Sequence, residues 1–173
     1  MKLLKWLFAV ALIAAVTHGA LLYFGPSLVM SRLLGRMADR AGGFNAMVHM
    51  PRPNAANDTV VRSSPDLLYS ACPYDLSAGQ LRVTADVPQG TYWSMSFYDA
   101  NTNNYRVIND SQATAGAVLI VLRSNSADLP PAGAEVVTSP TKRGVVLIRT
   151  LINDDARLAD IDQVRRTAKC VAF

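Results

Sequence analysis

A chain of 173 residues, half of them hydrophobic, is sized for one domain plus an anchor. Its formal charge of +4 lies wholly in the first forty residues, where Lys2, Lys5, Arg32, Arg36 and Arg40 outnumber Asp39. Beyond them the basic and acidic residues cancel, which disfavours a nucleic-acid binder and makes the basic flanks membrane-proximal charge.

Lys2 and Lys5 precede an uncharged run from Trp6 to Phe24, followed by Gly25-Pro26. At about 1.5 Å per residue this run spans most of a ~30 Å hydrocarbon core. It exceeds the usual apolar stretch of a signal peptide, and the small-residue exit at Ala20 has His18 two positions before it, so an uncleaved signal anchor over residues 1–26 is expected. Lipid contact is assigned to residues 6–24, with His18 read as a residue snorkelling to the interface or contacting another helix. Residues 27–43 place Leu28, Met30, Leu33, Leu34 and Met37 near helical spacing, with Arg32, Arg36 and Arg40 on another face. This predicts a juxtamembrane helix, either lying on the membrane or continuing the anchor onto the domain, and ended by Gly42-Gly43. Residues 44–58, with Pro51 and Pro53, read as a connector in which His49 is a solvated loop residue. Positive charge on both sides of the span leaves orientation to the cysteines, which favour an extracytoplasmic domain.

Residues 59–173 carry the punctuation of a β domain. Short strands are expected at Thr59–Arg62 and Leu67–Tyr74, then an alternating one at Leu81–Val87. Trp93, Met95 and Phe97 alternate with Ser94, Ser96 and Tyr98, which predicts a central strand running into a polar turn at Asp99–Asn104. Strands come next at Tyr105–Ile108, Ala117–Leu122, Glu135–Thr138 and Gly144–Ile152, and a helix over Asp154–Lys169 closes the chain. Acidic residues in its first turn and Arg165, Arg166 and Lys169 in its last match the helix dipole. The spacing fits an antiparallel β-sandwich.

Cys72 and Cys170 have no metal-ligand spacing and are read as a disulfide, the alternative being two buried thiols. Arg149 interrupts an apolar strand and needs an acceptor, for which Asp66, Asp75 and Asp99 are candidates. It is either a structural ion-pair residue or an anion-binding arginine in a cleft. Neither histidine stands beside a nucleophile in sequence, and no G-x-S-x-G, Walker or dinucleotide pattern occurs, so catalytic residues and cofactors are not assigned. Tyr69, Tyr92, Trp93 and Tyr98 are sheet core or a sugar- or acyl-binding face.

The segment Arg62–Leu76, RSSPDLLYSACPYDL, resembles the start of the family catalogued as domain of unknown function 1254, with Asp66, Tyr69, Ser70, Asp75 and Leu76 on its motif. Ser64 and Leu67 depart from it, standing where the family prefers Asn and Thr. Thr91-Tyr92-Trp93-Ser94, Asp99-Ala100-Asn101-Thr102-Asn103, Ser139-Pro140-Thr141 and Arg149-Thr150 continue the resemblance. It implies a β-sandwich or jelly-roll-like domain, often secreted or membrane-attached in bacteria, without an agreed activity. The candidate cleft gathers Arg62, Asp66, Tyr69, Asp75, Tyr92, Trp93, Asp99, Thr102, Asn103 and Arg149. Relatives often continue into a second domain, of unknown function 1214; this chain is expected to be a single-domain version, and by analogy a separate protein of that family would dock here. The leading expectation is therefore an inner-membrane, single-pass, periplasmic interaction module, with a binder or hydrolase of envelope sugars or lipids as the alternative.

Overall fold

A computed structural model describes residues 2–54, 63–113, 116–124 and 133–173. The strand expected at Thr59–Arg62 lies outside these. Helix α1 spans Lys2–Ala41 without a break, so the anchor and the juxtamembrane helix are one rod. Its apolar part is exposed and is long enough to cross a membrane. Pro26, which follows the apolar run, lies inside the helix. Proline removes one amide donor, a loss that apolar membrane-type helices tolerate, and Ser27 Oγ donates to the Phe24 carbonyl at 3.0 Å on the same turn. The helix ends where expected: Gly42 takes φ 80°, and Gly43 N donates to the Ala38 carbonyl at 2.8 Å, a Schellman closure.

Next along the chain are strands β1 (Val48–His49), β2 (Leu67–Asp75), β3 (Leu81–Asp86), β4 (Trp93–Asp99), β5 (Asn104–Asn109), β6 (Ala117–Arg123), β7 (Glu135–Thr138) and β8 (Arg143–Leu151). A 3-10 turn at Asp155–Arg157, helix α2 (Leu158–Arg165) and strand β9 (Lys169–Ala172) complete the chain. The closing helix is thus shorter than expected, and the residues read as its basic last turn lead into a strand. One sheet runs β1-β2-β8-β4-β5 and the other β7-β6-β3-β9. All pairs are antiparallel except β6 with β7, whose parallel pairing departs from the expected wholly antiparallel order.

The sheets share one core. Cys72 and Tyr74, Trp93, Met95 and Phe97, and Val146 and Ile148 meet Leu81, Val83, Ile120, Leu122 and Cys170 from the second sheet. This is the alternation of a two-layer sandwich. The Cys72–Cys170 disulfide joins β2 to β9 and so staples the layers. Alternation sends Tyr69, Ala71, Ser94, Ser96, Tyr98, Val145, Leu147 and Arg149 to the opposite face of the five-stranded sheet. There Met30, Leu34 and Met37 of α1 pack on Ala71 and Val145. The outer face of this sheet is therefore covered by the last three turns of α1.

Candidate functional site

The helix does not close fully on that face. Between them lies a cavity of about 610 Å³, walled by Met30, Leu33, Met37 and Arg40 of α1, by Val48 to Pro51, and by Tyr69, Tyr98, Thr102, Val145, Leu147 and Arg149. Three local features build its polar end. Where β4 pairs with β5 the register shifts between Phe97 and Tyr98, a bulge that re-aims the turn beyond it. In that turn Asp99, almost fully buried, accepts from the backbone of Asn101 at 2.8 Å and Asn103 at 2.9 Å and from Asn103 Nδ2 at 2.9 Å. That clamp holds Thr102 at φ 70°, a conformation costly for a β-branched residue, on the cavity wall.

Arg149 is half-buried between Tyr69 of β2 and Ser94 of β4 in the strand register. One terminal nitrogen donates to Ser96 Oγ at 2.9 Å, while Nε is buried with no hydrogen-bond partner among the described residues. Ser94 Oγ is likewise buried and unpartnered. The carboxylates expected to pair with Arg149 are engaged elsewhere or exposed. Asp75 binds Arg143 at 2.7 Å; burial pushes its carboxyl up, but the Ser77 hydrogen bonds and this arginine prevail and hold it below the usual range. Asp99 caps its own turn, and Asp66 is exposed before β2. Among the described residues no Asp or Glu lines the cavity.

Of the residues expected to form a cleft, the cavity brings together Tyr69, Thr102 and Arg149. Trp93 is inner core, Tyr92 is largely exposed, and Asp66, Asp75, Asp99 and Asn103 serve turns or ion pairs off the cavity wall. Arg62 lies outside the described residues. Sequence reasoning missed the helix residues Met30, Leu33, Met37 and Arg40 as cavity wall. Their apolar spacing marked a buried stripe, but nothing marked what it would cover.

It also misplaced His49. Its Nδ1 lies 2.8 Å from Ser70 Oγ, because β1 pairs His49 with Ser70 across the sheet edge. Burial, then the charges of Arg165 and Arg166, hold the imidazole below its usual pKa, with Asp162 partly opposing. A histidine beside a serine is the start of a nucleophilic pair, but Ser70 is fully buried and absent from the cavity wall, so no acyl group in the cavity reaches it. The contact instead ties β1 to β2. Behind it the buried Arg165 donates to Asp162, to the carbonyls of Met50 and Tyr69 and, at 3.5 Å, to Ser70 Oγ, fixing α2 on the sheet edge. No cluster of three metal-ligating side chains forms among the described residues.

A sequence profile for DUF1254, described as a protein of unknown function, matches residues 44–172. Among solved structures, the VPA0106 protein from Vibrio parahaemolyticus superposes with a TM-score of 0.65 at 14% identity, covering 87% of this chain and 35% of that one. An uncharacterised protein from Burkholderia cenocepacia gives 0.53 at 17% identity, covering 90% of this chain and 42% of that one. The chain thus spans less than half the length of either, and at such identities the likeness is one of fold. No curated protein matches it.

Proposed function

Because the chain belongs to DUF1254, a family whose description assigns no activity, we propose its function from geometry: a membrane-anchored domain that binds a small ligand in the cavity between α1 and the five-stranded sheet. The observation that carries this reading is the cavity itself, whose volume lies in the range of small-molecule sites. Its wall is mainly apolar, with a few polar groups, Tyr69, Thr102 and Arg149 among them, to orient a guest. Binding fits better than hydrolysis, since Ser70, the serine beside His49, is fully buried and absent from the cavity wall.

The domain is assigned to the periplasmic side of a bacterial inner membrane, held by an uncleaved signal anchor. The apolar helix and the Cys72–Cys170 bond support this placement. Thiol-tagging of intact spheroplasts tests it: tagging of cysteines introduced at exposed Tyr92 and Val171 by an impermeant reagent is expected, and protection of both would reverse the orientation.

The binding reading is tested by native mass spectrometry of the full chain released from membranes. A reproducible small-molecule adduct that is lost in Arg149→Met with an unchanged melt is expected. Recovery of the bare chain under every extraction condition would count against it. A second reading, docking of a separate protein, draws on the greater length of the two relatives of like fold. Co-purification from gently solubilised membranes tests that one.

A further inference from the structure

The wall of the cavity has two chemistries. Met30, Leu33, Met37, Val145 and Leu147 supply saturated or thioether surface, while Arg40 and Arg149 supply positive charge with no carboxylate among the described wall residues to balance it. A neutral apolar guest would desolvate the Arg149 guanidinium on the cavity wall without offering it an acceptor, which carries a free-energy cost. A carboxylate or phosphate would accept from the terminal nitrogens of that guanidinium, which lines the cavity. A cation would meet two guanidiniums.

Size and place narrow the guest further. At about 30 Å³ per heavy atom, the share of a water molecule in the liquid, the 610 Å³ cavity holds roughly twenty such atoms. That is one alkyl chain with a head, and too small for a two-chain phospholipid. Met30 comes six residues after Phe24 on the same helix, so the cavity begins roughly 9 Å beyond the apolar run, beside the head-group layer.

We propose that the cavity takes up a single-chain amphiphilic anion from the adjoining membrane leaflet, its alkyl chain lying along Met30, Leu33 and Met37 and its head on Arg149. This rests on the ligand-binding reading above and gives that ligand its chemical class. Arg149 anchors the head, and Arg40 adds positive potential at the helix end of the cavity.

The test uses the full chain in phosphatidylcholine nanodiscs, titrated with dodecanoate, dodecyl phosphate, dodecanol and dodecyltrimethylammonium, with empty discs subtracting partition into lipid. Both anions are expected to bind about ten-fold or more tighter than dodecanol, the scale of one charge-assisted pair, and the cation not at all. Binding of only one anion also supports the proposal and fixes the head group. Arg149→Met should bring the anions down to the level of dodecanol. Should that variant fail to fold, the comparison of head groups on the unmodified chain decides alone, and Leu33→Trp, which narrows the cavity, should weaken every alkyl ligand. Equal binding of dodecanol and dodecanoate would overturn the anion while leaving a binding cavity. Failure of all four probes to exceed empty discs would overturn both.

Discussion

Gly144 sits where two groups close on the backbone of β8. A Cβ there would overlap the Tyr98 carbonyl oxygen and the Tyr74 hydroxyl, which itself bonds Tyr105 and Ser139 at 3.0 and 2.9 Å. Gly144→Ala should therefore cost about 1–3 kcal/mol, as overpacking of a tight site does, and urea unfolding of the purified chain measures it. In the sequence Gly144 is only a strand boundary, because the tyrosine that crowds it comes from a distant strand. His49 makes a different prediction. Its native pKa lies below the usual 6.5, so the unfolded chain binds the proton more readily. Its contribution to stability is complete above about pH 6.5 and is lost as pH falls below it toward the depressed native value. Urea midpoints taken at pH 7.5, 6.5 and 5.5 should decline through that window, and His49→Gln should flatten the decline. Asp162 and Asp75, held low against burial by Arg166 with Arg165 and by Ser77 with Arg143, lose their contributions in a separate, more acid range.

Most elements were legible because their side-chain period is written in the sequence. The alternation of Trp93, Met95 and Phe97 names the inner face of β4, and the apolar run at Ala117 names an internal strand. What failed was local context. Lys169 to Ala172 is four residues long and comes directly after a basic helical turn, so no periodicity could separate β9 from α2. Arg165 looked like a dipole-matching surface residue, yet it is 2% exposed and binds Asp162 and the backbone carbonyls of Met50 and Tyr69. Arg165→Met removes the partner of a largely buried pair and should cost about 3–5 kcal/mol, with Arg165→Lys unable to restore the fork. Amide exchange over α2 and β1 would locate the loss. The disulfide, by contrast, was readable, since only one pairing exists. Its cysteines are 98 residues apart, and replacing both by alanine should lower stability by about 4–5 kcal/mol in the chain-entropy picture, measured by the denaturant midpoint.

Beyond its N-terminal helix the molecule is a charge-balanced sandwich whose outer sheet face depends on α1 for cover. Arg149, Tyr69 and Thr102 could be suspected from sequence, but the cavity arises from a helix meeting strands on the order of 100 residues away, and no spacing rule reports such a contact. Removing residues 1–43 uncovers Ala71, Val145 and Leu147 together. The remaining fragment should therefore self-associate, a shift that sedimentation would register and that a mild detergent would reverse. The unbroken course of α1 through Pro26 has a mechanical consequence. Were its apolar first half to cross a bilayer, the rod would be a lever about 60 Å long whose far end covers the cavity. A thinner or thicker bilayer would then change the slant of the rod, and the cavity would widen or narrow with it.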